Sequence, residues 1–149
     1  MTGRGGGWVV GQFAVIALIV AGVLLPPRVH LLPVRIVGIA LCLGGVVLFV
    51  SAYRAMGRWF TIYPRPLVDS EIITSGPFAL VRHPIYGSGL LFFSGASLNA
   101  GLPGLVGTAV LALLWWRKAA LEERLLLERS HEYTDYLASV RRRFVPWVV

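Results

Sequence analysis

Two long apolar runs, Trp8–Leu25 and Val34–Tyr53, fill most of the first third of the chain. Each approaches the ~20 residues that a helix needs to cross a hydrocarbon core. In lipid, every backbone N–H and C=O must be satisfied internally, so such runs are confined to helices. The rest of the composition agrees. The 149 residues are 56% hydrophobic and only 14% charged, with a mean hydropathy of +0.73. That is the profile of one integral membrane domain, not of a soluble globule. A net charge of +7 raises nucleic acid as a partner. The basic residues are scattered among apolar spans, with no reading helix and no zinc-ligand set, so no nucleic acid is expected. The single cysteine, Cys42, excludes an internal disulfide and a cysteine-based zinc site.

Proline and glycine punctuate the chain. Gly3, Gly5, Gly6 and Gly7 with Arg4 read as a tail. Pro26-Pro27 closes the first run. Its weak basic n-region and lack of a small-x-small site favour a retained helix over a cleaved signal peptide. Trp8 suits the interface, and Gly38, Gly44 and Gly45 allow close helix contacts in the second run. Arg54, Arg58 and Trp59 mark its far end. Pro64, Pro66 and Pro77 make Thr61–Arg82 an extended loop over the membrane surface. Two shorter runs, Ile85–Leu98 and Gly104–Trp116, flank the turn Asn99–Pro103. They predict a tight helical hairpin extended at its polar ends, with a re-entrant hairpin as the alternative. Arg117-Lys118 ends the apolar part. "ALEERLLLERSHEYTDYLASV" then continues as an amphipathic helix with Leu121, Leu125, Tyr136 and Leu137 at roughly helical spacing. The expected fold is an all-α integral membrane protein with about four transmembrane helices, including the hairpin, plus an amphipathic C-terminal helix. Residues 1–149 form a single domain, with two spans in 1–60 and the ligand-binding half in 61–149.

With four spans, the N-terminus, the middle loop and the C-terminal tail share one side. Twelve of the fourteen Arg and Lys residues fall there, leaving Arg28 and Arg35 opposite. The bias of basic loops toward the cytoplasm places both termini inside, in the inner or plasma membrane if the source is bacterial. All seven acidic residues share that face.

Three stretches there could carry chemistry. In "GPFALVRHPIYGSG", Pro84 fits the first turn of a helix whose N-terminus bears free N–H groups and partial positive charge. Gly87 and Gly89 let another backbone or a flat ligand approach closely. The competing role is an interfacial anchor, with Arg82 reaching lipid phosphate and His83 capping. In "LEERLLLERSHEYTDY", Glu122 and Glu123 stand about 100° apart on a helix. One can face a pocket while the other pairs with a base such as Arg117 or Arg129; a wholly solvated face is the alternative. In "VRRRFVPWVV", the arginines could meet an acidic substrate or phospholipid heads. A bis-histidine haem does not fit, since His30 lies in the first loop and His131 in the tail. No Walker loop and no G-x-G-x-x-G after a strand is present.

Together these motifs resemble the isoprenylcysteine carboxyl methyltransferase family and its bacterial relatives. "GPFALVRHPIYGSG" is similar to that family's Arg-His-Pro-x-Tyr signature. "EERLLLERSHEYTDYLASVRRRFVP" is similar to its C-terminal pattern of paired glutamates, Tyr-x-x-Tyr, and a basic residue before proline. The two occur in the family's order across about Thr61–Pro146. The related phospholipid N-methyltransferases similarly use Gly-x-Gly and a glutamate pair for S-adenosylmethionine. The resemblance implies a cytoplasm-facing S-adenosylmethionine pocket lined by His83, Tyr86, Gly87 and Gly89. It implies Glu122 or Glu123 on the ribose or amino group, with Tyr133 and Tyr136 closing the tail. Glu123 and Arg142 would be catalytic. Arg142 best matches the family's basic residue, although Arg141 and Arg143 compete because the chain runs one residue longer before Pro146.

The implied function is methylation of a lipophilic or lipid acceptor, with the membrane lipids as the other partner and no metal. A carboxylate acceptor needs no general base, whereas an amine must first lose a proton and finds few bases here. An acidic or neutral acceptor is therefore favoured, with O-, N- and S-methylation all open and no oligomeric state assigned. The alternatives are an NADPH-dependent enzyme resembling sterol reductases and a non-enzymatic membrane binding module.

Overall fold

The computed structural model describes residues 6–25, 31–63 and 71–144. Expectations resting on Arg4, Pro26-Pro27, Arg28, His30, Pro64, Arg65, Pro66 and Pro146 lie outside that set. The described residues form five α-helices and no strand: α1 (Gly6–Leu24), α2 (Leu32–Met56), α3 (Pro84–Ala100), α4 (Leu102–Leu127) and α5 (Glu132–Ser139). Short 3-10 turns at Gly57–Trp59 and Gly76–Ala79 connect them.

Three helices are long and apolar enough to cross a membrane: Gly6–Leu24, Leu32–Trp59 and Leu102–Leu127. Their outward faces are apolar. Leu18, Leu43 and Val47 stay more than half exposed, as fits helices solvated by lipid rather than water. At 17 residues α3 is slightly shorter. It packs mainly on α2 and is covered by α4 and α1.

The α2–α3 contact depends on missing side chains. A Cβ on Gly45 would stand 2.7 Å from the Ser88 carbonyl oxygen, and one on Gly95 would strike the Gly38 carbonyl. Gly44 faces open space, so of the glycines expected to aid packing Gly45 does so through its missing side chain, while Gly38 is buried with its carbonyl against Gly95. Gly101 joins α3 to α4 at φ 73°, a conformation that costs a residue with a Cβ about 1 kcal/mol or more. Ser97 and Thr108 share a hydrogen bond of 2.8 Å beneath that turn. Ile19 of α1 packs against Leu111 and Trp115 of α4.

The helix starting after the hairpin turn runs past Arg117-Lys118 to Leu127, as the sequence predicts. One boundary differs from the expectation. The amphipathic tail is not one rod, because the chain turns at 128–131 before α5. A straight continuation from Leu127 would carry Tyr136 about 13 Å onward at ~1.5 Å per residue. The turn instead folds α5 back, and the Tyr136 hydroxyl donates to the Phe78 carbonyl oxygen at 2.7 Å.

Candidate active site

The N-terminus of α3, the second half of α4, the segment after α2, and α5 meet at one end of the bundle. Pro84 opens α3 and leaves His83 at the cap position, non-helical at φ −127°. Val81–His83 is held from the tail side, where Arg82 N–H donates to the Arg142 carbonyl (2.9 Å) and His83 N–H to the Arg143 carbonyl (2.8 Å). This short backbone pairing presses Phe144 over Gly87. A Cβ there would strike the Phe144 carbonyl, and one on Gly89 would enter the Trp115 ring. The two close approaches expected at these glycines are thus made by a backbone and an indole.

The paired glutamates divide as their 100° separation requires. Glu123 is buried and meets two guanidinium groups and an imidazole. Arg143 donates to both of its oxygens (Nε–Oε1 3.2 Å, Nη2–Oε2 2.5 Å). The His83 Nε2–Oε1 distance is 3.0 Å. Arg82 Nε lies 3.0 Å from the same oxygen, off the line of a hydrogen bond. The pairing bases are therefore Arg82 and Arg143, not Arg117 or Arg129. Arg82 was expected at the lipid surface; a carboxylate 41 positions away turns it inward. Arg143, not Arg142, supplies the guanidinium, and it also covers the Trp116 ring at 4.4 Å. Adjacent residues on an extended segment point to opposite sides, so the register of the tail against Arg82 and His83 selects one arginine.

Glu122 faces a cavity. It accepts the Tyr86 hydroxyl at 2.5 Å, and its other oxygen lies 3.6 Å from His83 Nδ1. Tyr86 is clamped between the His83 and Trp115 rings at 5.6 and 5.5 Å, both near-parallel. The cavity takes in about 950 Å³, its solvent-open side included. Glu122, His83, Tyr86, Tyr133 and Tyr136 line it, as do Trp59 and Glu71. Trp59 was read only as marking the end of the second span, and Glu71 was not singled out, although an acidic residue in a proline-rich loop is a usable signal. Burial holds the Tyr133 phenol above its ordinary range. It pushes Tyr136 up to about 12, with Glu123 adding to the shift and Arg82 opposing it. Both side chains are neutral donors at any ordinary pH.

A second cavity, about 830 Å³ with its open side included, lies among α1, α2, α3 and α4. The two share Phe60, Thr61, Ile85 and Tyr86 as lining. These residues form a partition between a chamber at the bundle end that carries Glu122, His83 and tyrosines and a more apolar one among the long helices.

Residues 34–132, about two thirds of the chain, match the family described as phospholipid methyltransferase. The chain belongs to that family. It is therefore a member of a membrane methyltransferase group, and the group's methyl donor is S-adenosylmethionine. Among curated proteins it is similar to the cobalt-zinc-cadmium resistance protein CzcN of Cupriavidus metallidurans, at 35% identity over 86 residues. That match covers 54% of this chain and 39% of the relative. The family match takes in the whole of α3 and α4 with His83, Tyr86 and both glutamates. It leaves out α1, Tyr133, Tyr136 and Arg143.

The end chamber suits S-adenosylmethionine by its donor set. A carboxylate can take ribose hydroxyls or an ammonium group, and the aromatic walls of Trp59, Tyr133 and Tyr136 can take a cation or a flat base.

Proposed function

We propose that the protein is an S-adenosylmethionine-dependent methyltransferase acting on an acidic or neutral lipophilic acceptor that enters from the bilayer. The observation that carries this reading is the pair of cavities meeting at Tyr86. The end chamber would hold the methyl donor through Glu122, His83 and the aromatic walls, and the second cavity would hold the acceptor. The donor supplies a sulfonium-bound methyl group, which a carboxylate acceptor takes by in-line displacement with no proton removed.

The chain's own residues position and exclude. Glu122 and the stacked His83 and Trp115 rings hold Tyr86 in one orientation, fixing the partition. Glu123 takes no ligand in this reading. It ties the tail, through Arg143, to the Arg82-His83 corner and so keeps Tyr133 and Tyr136 over the chamber. The arginine that matters for the acceptor side is Arg143 through that tie, rather than Arg142. The charge bias supports a cytoplasmic end chamber, with both termini on that side. Isothermal titration of the detergent-solubilised protein with S-adenosylmethionine and with NADPH tests the assignment. Binding of the first and not the second is expected; NADPH binding alone would overturn it in favour of a reductase.

A further inference from the structure

Apart from the Trp8 indole, α1 carries one polar side chain, Gln12. It is buried, as is Ile19 two turns further along the helix. A polar side chain inside a membrane helix is expensive and turns to the bundle interior, and an amide there needs its hydrogen bonds made. Gln12 Oε1 accepts two of them, from Trp115 Nε1 at 3.2 Å and from Lys118 Nζ at 3.1 Å. Both lone pairs of that oxygen are then used, which fixes the orientation of the amide.

Both donors face the same ring. The Trp115 indole stacks on Tyr86 at 5.5 Å and 24°. The Lys118 ammonium lies 5.4 Å from the centre of the Tyr86 ring, within the ~6 Å reach of a cation–π contact. Lys118 also donates to the Ile62 carbonyl at 2.7 Å and has Glu122, one turn on, as its counter-charge. Tyr86 in turn donates to Glu122. Gln12 lines the second cavity and not the end chamber, whereas Tyr86 lines both. Gln12 therefore bears on the chamber wall through Trp115, Lys118 and Tyr86. It also stands outside the family match at 34–132, which contains those three residues. The matched portion supplies the stack, and α1 supplies the acceptor that aligns two of its members.

We propose that Gln12 is a positioning residue: its Oε1 sets Trp115 and Lys118 against Tyr86 and so fixes the orientation in which Tyr86 holds Glu122 in the end-chamber wall. A consequence for S-adenosylmethionine binding rests on the proposed function; the effect on Tyr86 does not. The requirement is for an acceptor oxygen, so variants sort by chemistry and not by size. Gln12→Leu and Gln12→Met keep bulk and remove the acceptor. Gln12→Glu keeps the oxygen, and the Lys118 ammonium answers its charge.

The test labels the detergent-solubilised full chain with 3-fluorotyrosine and reads fluorine NMR. The chain has five tyrosines, and the Tyr86 resonance is the one lost in Tyr86→Phe. In the acceptor-free variants it is expected to move or broaden by more than its linewidth, and Gln12→Glu should return it to the wild-type position. Equilibrium dialysis of S-adenosylmethionine should show binding about threefold or more weaker without the acceptor and within about twofold of wild type in Gln12→Glu. A Tyr86 resonance unmoved in a folded acceptor-free variant, or no recovery in Gln12→Glu, would overturn the proposal. Failure of both acceptor-free variants to reach wild-type helicity by circular dichroism would also overturn it, because Gln12 would then hold the bundle and not the ring. Donor binding unchanged in a variant whose Tyr86 has moved would overturn its role at the donor site. The predicted Tyr86 shifts in a chain that binds no S-adenosylmethionine would leave the positioning role standing and remove the methyltransferase reading.

Discussion

Glu122 and Glu123 are neighbours with opposite tasks, and substitution should separate them. Glu122→Gln removes the carboxylate from the chamber wall while leaving an oxygen for Tyr86. It should weaken S-adenosylmethionine binding about tenfold or more, since hydrogen bonds to a charged group are worth ~1.5–3 kcal/mol, with little change in thermal stability. Glu123→Ala strands Arg82 and Arg143 in a buried site. Breaking such a pair costs about 3–5 kcal/mol, so this variant should show a clearly lowered melting temperature in detergent. Equal melting curves for the two variants would contradict the division. Tyr136 adds a pH signature. Its pKa is pushed up to about 12, above the ~10 of an unfolded chain. Its contribution to stability is thus complete below pH 10 and lost as pH rises through about 12. Melting temperatures followed from pH 8 to 12 should fall in that upper window, and Tyr136→Phe should flatten the fall.

Among the elements, α3 carries the most constraints, because it is packed on α2 through glycine and capped by the tail. Gly45→Leu drives a side chain into the Ser88 carbonyl and Phe92, and overpacking of this kind costs typically ~1–3 kcal/mol. Gly44→Leu at the adjacent, open position should be close to neutral, and a thermal-shift comparison of the two checks the placement of α2 on α3. The helical runs were legible because lipid imposes apolar continuity, and Pro84 marked the start of α3. The continuation of α4 past Arg117-Lys118 was legible from helix propensity, whereas the break at 128–131 before α5 was not. The helix continues because Lys118 and the glutamates find partners inside. Those partners are Gln12, Ile62, Tyr86, His83, Arg82 and Arg143, and every one is distant in sequence. The same distance hid the inward turn of Arg82. That Arg143 is the arginine meeting Glu123 depends on the register of the segment after α5 against Arg82 and His83.

For the molecule as a whole, the account is of two chambers sharing one partition, with charge concentrated at the end of an otherwise apolar bundle. The sequence order of the motifs was enough to bring His83, Tyr86 and Glu122 into one wall. It carried no trace of the second cavity, which is assembled from four helices and has no motif. The central claim is that the end chamber binds the methyl donor through Glu122. Equilibrium dialysis of tritiated S-adenosylmethionine against the solubilised wild type and Glu122→Gln tests it most directly. Saturable binding at one site per chain, weakened about tenfold or more in the variant, is the predicted result. No binding to the wild type, or equal binding to both proteins, would contradict the claim.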